Sequence, residues 1–296
     1  MATKALFNMA VNWFIRQRID QIQNFMKHPI ETQNGVLFSQ LFHAEETEYG
    51  KKFGFKDISS YRDFQQQVPI VNYEEFEPYI EKARQGQKDI SWPGVIRQFA
   101  KSSGTTNAKS KFIPISDESL EDCHYKAGKD LISIYANNHP DNQLFLNKNL
   151  RLGGSAELYE SFNTKFGDLS AILIENLPFW VEITTVPSKK TSLMSEWETK
   201  LKAIVSEVKN QAVGSLTGVP SWMMVLLQRI LTETGKGNIY EIFPNLEVFF
   251  HGGISFKPYR EQYKKIIGKN INYYEIYNAS EGFFGIQDRS VSDEML

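Results

Sequence analysis

The chain has 296 residues, room for about two domains or one large α/β unit at roughly 150 residues per domain, so a core can form without disulfide or metal staples. Its 33 Lys and Arg against 35 Asp and Glu leave a formal charge of −2, which gives no support to a nucleic-acid partner or a polybasic membrane role. The single cysteine, Cys123, excludes an internal disulfide or a thiolate zinc site, and 41% hydrophobic with 13% aromatic residues excludes a disordered chain.

Residues 3 to about 45 read as helices. Leu6, Met9, Trp13 and Phe14 recur at helical spacing while Asn8, Asn12, Arg16 and Arg18 interrupt any apolar run, the pattern of an amphipathic helix and not of a signal peptide. Breaks are expected near Pro29 and at Gln33, Asn34 and Gly35. Asp57 to Ser59 and Pro69 to Tyr73 carry capping and loop chemistry around a short helix, and Glu74 to Ala83 reads as a further helix with a charged face. Residues 1–90 are therefore expected to be a helical lead-in packed on a main domain, 91–296.

From Ser91 the pattern becomes α/β. Val95 to Ala100, Lys111 to Ile115, Leu144 to Leu146 and Ala171 to Ile174 are short apolar runs between polar turns and are expected to be strands. Trp197, Leu201, Ile204, Val205 and Val208 form one helix face. A second helix after Gly218 and Pro220 carries Met223, Leu226, Leu227, Ile230 and Leu231 and ends at Gly235. Leu246 to Phe250 and Ile271 to Ile276 are expected strands joined by the charged helix Lys257 to Ile267, a βαβ unit that ends at Tyr277. The longest uncharged stretch, Asn210 to Gln228, contains Gly214, Gly218 and Pro220 and falls short of the roughly 20 apolar residues that span a bilayer. A cytoplasmic address is expected.

Three segments concentrate chemistry. Lys101 to Lys109 gathers Ser102, Ser103, Thr105 and Thr106 around Gly104 and closes on Lys109. Converging N–H groups, hydroxyls and a mobile ammonium suit a polyphosphate, though a Ser/Thr-rich surface loop has the same composition. It is not a Walker P-loop, because the second glycine is missing and the lysine falls one place early. Tyr277, Asn278, Ala279, Ser280 and Glu281 follow a predicted strand, at the sheet edge where α/β proteins bind ligands. There a carboxylate can hold Mg²⁺, a hydroxyl can touch phosphate and an aromatic ring can cover a base, while a lone loop acid can also be merely solvated. His251, Gly252, Gly253, Ile254 and Ser255 lie between a strand and a helix, where paired glycines permit close backbone approach or simply make a turn.

Together these segments resemble the adenylate-forming superfamily, and more closely the auxin-responsive-promoter family of acyl acid amido synthetases in its bacterial form. Ser102 to Thr106 with Lys109, and Lys111 to Pro114, match that family's first motif, and Tyr277, Ser280 and Glu281 match its second. The resemblance implies a fold made of the large N-terminal domain of an adenylate-forming enzyme, with mixed and parallel sheets flanked by helices. It also implies ATP and Mg²⁺ as cofactors and a small carboxylic acid and an amine or amino acid as substrates. The carboxylate attacks the α-phosphate, pyrophosphate leaves, and the amine takes the acyl group from the adenylate. By that resemblance Ser102, Ser103, Gly104, Thr105 and Thr106 bind β- and γ-phosphates, Lys109 and Glu281 are catalytic, and Gly252, Gly253 and Ser255 line the adenine pocket. Tyr277 stacks on adenine, Ser280 contacts the α-phosphate, and Glu281 holds the metal. Ala108 stands where the family often has glycine. The family's ribose-binding segment and C-terminal domain are expected beyond Leu296, so the chain corresponds to the N-terminal portion of such an enzyme. Transfer to a thiol such as coenzyme A, or nucleotide binding without catalysis, are the alternatives.

The remaining candidates are weaker. His28, His43, His124, His139 and His251 lack metal-binding spacing, and neither Gly153-Gly154-Ser155 nor Gly214 to Gly218 forms a nucleophile elbow. Cys123 beside His124 is not a dyad by adjacency. Trp222, Met223, Met224 and Leu227 could line an acyl pocket or pack a core.

Overall fold

The computed structural model describes residues 15, 17–102, 110–154, 158–289 and 294–296. The predicted helix around Leu6 to Phe14 lies outside them. Two compact units emerge: Met1–Glu121 with Tyr159–Phe166, and Asp122–Leu158 with Gly167–Leu296. In chain order the strands are β1 (Gln98–Ser102), β2 (Lys111–Ile115), β3 (Lys148–Leu152), β4 (Leu158–Ser161), β5 (Thr164–Gly167), β6 (Thr185–Val186), β7 (Val213–Gly218), β8 (Val248–Gly252), β9 (Asn272–Ala279) and β10 (Gly282–Ile286).

The first unit sets helices against a four-stranded sheet of order β2-β1-β5-β4. Pro29 opens the helix Pro29–Ala44, as the sequence predicts. The second predicted break does not occur: the helix runs through Gln33, Asn34 and Gly35. Leu41 and Ala44 are buried on its inner face and hold it in register, while Gly35 costs only about 1 kcal/mol at an open position. Helix Tyr73–Arg84 starts on a reciprocal cap, in which the Asn72 side chain accepts from Glu75 N–H and the Glu75 carboxylate accepts from Asn72 N–H. It buries Ile80 and Ala83 with Ile90, Ile96 and Phe99.

The second unit is built on a six-stranded sheet of order β10-β9-β8-β7-β3-β6. β6, β3, β7, β8 and β9 are parallel neighbours, and β10 returns antiparallel to β9. Helix Trp197–Val208 buries Leu201, Ile204, Val205 and Val208, and helix Pro220–Thr234 buries Met223, Met224, Leu226, Leu227 and Ile230 against the same core. The predicted βαβ unit is present, with β8 and β9 paired in parallel and joined through helix Arg260–Ile267.

Two predicted strands are helical. Ala171 to Ile174 belongs to helix Leu169–Glu175, because the Asp168 carboxylate caps its first turn through Ser170 N–H at 2.8 Å. Leu144 to Leu146 is a 3-10 turn, and the strand follows it at β3. No helix among the described residues is long and apolar enough to cross a membrane.

Candidate nucleotide site at the carboxyl rim of the second sheet

Parallel strands bring like ends to one rim, and ligands of open α/β sheets bind outside the carboxyl ends. The register puts Leu152, Gly218, His251 and Glu275 side by side on β3, β7, β8 and β9. Past this row the chain continues as Gly153-Gly154, Val219-Pro220, Gly252 to Ser255, and Ile276 to Glu281. Two of the three sequence-predicted segments are therefore neighbours by topology, on adjacent strands.

At Gly252 a Cβ would lie 2.4 Å from the Ile276 carbonyl oxygen, so only glycine lets β8 close on β9 here, and Gly253 follows at φ +83°. Gly253, Ile254 and Ser255 are exposed at the rim. His251, directly beneath, is 2% exposed and stacks on Phe256 with ring centroids 4.2 Å apart. Burial, with the nearby Arg260 charge, drives its imidazole down to about 3, so it sits neutral in the core and does not face the rim as an acid or base.

The Tyr277 to Glu281 segment is not a loop after a strand, as the sequence suggested. β9 extends through Ala279, and Ser280-Glu281 form a two-residue turn into β10, with Ala279 paired to Gly282. Tyr277 is 57% exposed and its ring lies 5.2 Å from that of Phe284, equally exposed on the partner strand. Ser280 is half-buried and Glu281 exposed in the turn. Phe284 was missed in the sequence. The signal was the short apolar run Gly282 to Ile286 directly after two turn residues.

Of the phosphate segment, Ser102 ends β1 in the first unit, where it pairs with Lys111 of β2. Ser103, Gly104, Thr105, Thr106 and Lys109 lie outside the described residues.

The acyl-pocket candidates divide. Met223, Met224 and Leu227 are buried at 0%, 6% and 0% in the main core, whereas Trp222 is 39% exposed, its ring 3.0 Å from where a Gly154 Cβ would stand. Two cations near this rim escaped the sequence reading. Lys200, on the buried face of its helix, donates to the Gly154 carbonyl at 3.2 Å, and burial lowers its pKa against the pull of Asp168. Arg151, on β3 beside Thr217 of β7, has a buried Nε without a partner, and burial brings its guanidinium down to about 10. The next residue on the same face of β3, Asn149, donates to the Ser215 and Thr217 hydroxyls at 2.9 Å each. A strand of alternating Leu and polar residues carries no sign that its polar side chains pair across the sheet, which hid this strip.

Comparison with known proteins agrees with this architecture. The GH3 family N-terminal domain matches residues 18–271. Over 92 residues the chain is 33% identical to indole-3-acetic acid-amido synthetase GH3.3 of Arabidopsis thaliana, covering 30% of this chain and 15% of that protein. Over 104 residues it is 32% identical to jasmonoyl–L-amino acid synthetase JAR6 of Nicotiana attenuata, covering 35% and 18%. The fold superposes on AtGH3.15 acyl acid amido synthetase in complex with 2,4-DB with a TM-score of 0.76, 15% identity, and coverage of 94% of this chain and 58% of that one. For 2-hydroxyisobutyryl-CoA ligase in complex with 2-HIB-AMP and CoA the values are 0.55, 14%, 90% and 54%. At such identities the superpositions establish the fold alone. The chain spans only part of the length of each of these proteins. With one family matched over residues 18–271 of 296, the chain belongs to the GH3 family, within its N-terminal domain.

Proposed function

We propose that this chain activates a small carboxylic acid with ATP, as the N-terminal portion of an acyl acid amido synthetase that passes the acyl group to an amine or amino acid. The observation that carries the proposal is the rim itself: the exposed Tyr277 ring, the Ser280-Glu281 turn and the Gly252 to Ser255 segment lie at the ends of two adjacent parallel strands, β9 and β8. The activities for which the related proteins are named, indole-3-acetic acid-amido and jasmonoyl-amino acid synthesis, support it.

Each residue then has a physical task. Tyr277, with Phe284 beside it, offers an aromatic face to adenine, and stacking of a base on such a face contributes about 1–3 kcal/mol. Gly252, Gly253 and Ser255 let the backbone approach the base. Ser280 donates to the α-phosphate. Ser102 to Thr106 bind the β- and γ-phosphates, and Lys109 adds a cation where charge builds up as pyrophosphate leaves. Glu281 would hold Mg²⁺. Its carboxylate is exposed in the β9–β10 turn, and such an oxygen donor suits a hard cation. When bound, that ion supplies charge neutralisation at the reacting phosphate. No general base is required, since the attacking carboxylate is ionised at neutral pH. Arg151 offers a buried cation to that carboxylate. The reducing, ATP-supplied cytosol is the compartment this chemistry suits.

The test is ATP–pyrophosphate exchange by this chain across a panel of carboxylic acids, followed by addition of amino acids or coenzyme A. Acid-dependent exchange that Glu281→Gln suppresses, with product formed on the amine, is expected. Exchange that ends in a thioester would shift the acceptor to a thiol. Nucleotide binding with no exchange on any acid would leave the binding-only alternative.

A further inference from the structure

Outside the rim residues, one pair of neighbouring side chains has no place in the activity described so far. Ser119–Tyr125 forms a π-helical turn, a rare geometry that often marks functional positions. Two consecutive residues of that turn reach the β9–β10 hairpin, more than 150 positions away. His124 Nδ1 lies 3.0 Å from Asn278 Oδ1, and Phe283 N–H donates to the Cys123 sulfur at 3.3 Å. Asn278 and Phe283 are themselves cross-strand partners, beside the register shift between Phe283 and Gly285. The two side chains thus grip one rung of the hairpin from both strands, Cys123 on β10 and His124 on β9. Tyr277 adjoins this rung, and the Ser280-Glu281 turn lies just beyond it.

The protonation state follows from the partners. His124 is 4% exposed and its Nε2 is buried without a partner. Donation from Nδ1–H to the amide oxygen leaves Nε2 as an unpaired acceptor, which costs less than an unpaired buried N–H. Burial keeps the ring neutral, with the Asn278 bond opposing the shift. A neutral imidazole with a fixed tautomer is a directional donor and no proton shuttle. It has a mechanical use here. Among the described residues β10 is the outermost strand on its side of the sheet, and beyond it Leu296 exchanges backbone hydrogen bonds with Ile286, at the end of β10 away from the turn. A hairpin at a sheet edge, projecting past the row of strand ends, otherwise frays at low cost.

We infer that Cys123 and His124 are positioning residues: they clamp the Asn278–Phe283 rung and so hold Tyr277 and the Ser280-Glu281 turn in the orientation that receives the nucleotide. This rests on the adenylation reading, and the experiment separates the two. His124→Leu removes the donor. His124→Asn restores it, because an asparagine amide N–H can stand near the place of Nδ1–H. With acid saturating, His124→Leu should raise the KM for ATP in pyrophosphate exchange by about tenfold, the size of one lost buried hydrogen bond. The KM for the acid should be unchanged, and His124→Asn should recover most of the loss. Asn278→Ala should weaken ATP alone to a similar degree and add little to His124→Leu.

An equal fall in melting temperature for both His124 variants, with the KM for ATP unchanged, would make the clamp purely structural and overturn the inference. Tyr277→Ala is the control. If it raises the KM for ATP and His124→Leu does not, the clamp fails while the adenylation reading stands; if Tyr277→Ala leaves ATP untouched, the reading itself fails. Should His124→Leu not fold, Asn278→Ala breaks the same bond from a half-buried position and carries the same two outcomes.

Discussion

The interior of β8 and the far end of β9 are adjacent in one sheet yet obey different rules. In β8, Val248, Phe249, Phe250 and His251 are all buried, packed on both faces as a central parallel strand must be. In β9 only Tyr274 is fully buried, beside Phe250, and the strand ends past the rim, where Tyr277 is more than half exposed. The core ends at the His251–Glu275 row. Side chains before that row contribute to stability; Tyr277, past it, is more than half exposed, so little packing depends on it.

That boundary can be broken or sharpened by substitution. The largest effect belongs before the row. Phe249→Ala, which empties space among Phe256, Tyr263 and the sheet, should cost about 3–5 kcal/mol in urea unfolding. A loss below 1 kcal/mol would deny the dense core. Gly252→Ala, at the row itself, places a Cβ against the Ile276 backbone and should cost about 1–3 kcal/mol, separating β8 from β9 just below the rim.

His251 supplies the pH test. Its folded-state pKa, about 3, lies below the ordinary 6.5, so the unfolded chain binds the extra proton. Its neutral form is fully accommodated above about 6.5, and stability falls as pH drops from there toward about 3, by up to about 1.4 kcal/mol per unit. His251→Phe should flatten that slope in denaturant titrations at pH 7 and pH 5. His124 and His139, also lowered by burial, add slope of the same sign that His251→Phe leaves in place. The smallest effect on folding belongs past the row. Tyr277→Ala should change stability by no more than about 0.5 kcal/mol. Its nucleotide affinity, followed by fluorescence titration, should nonetheless fall by about 1–3 kcal/mol.

What could be read along the chain depended on how locally each feature was encoded. Helix Pro220–Thr234 was legible at both ends, since proline opens it and Gly235 caps it in the left-handed region at φ +66°, and its apolar face repeats every three or four residues. The capping chemistry read over Pro69 to Tyr73 is likewise local, and the structure finds it in Asn72 at the start of Tyr73–Arg84. Ala171 to Ile174 was misread because four apolar residues fit strand and helix alike, and Asp168 settles the matter by capping. β3 and β7 were obscured by their polar residues: Asn149 and Thr217, half-buried, and Ser215, buried, are joined by the two hydrogen bonds from Asn149, so their polarity did not signal exposure.

The motif residues belong to both categories. Residue type and order, with the family resemblance, picked out Tyr277, Ser280, Glu281 and the Gly252-Gly253 pair as candidates. Their adjacency is a property of parallel pairing between strands some twenty residues apart, which no local pattern specifies. The clamp from Cys123 and His124, the unpaired Nε of Arg151, and the sinking of His251 into the core came only with tertiary structure. Periodicity and capping act through hydrogen bonds a few residues long, whereas burial and long-range contact depend on which surfaces the whole chain brings together.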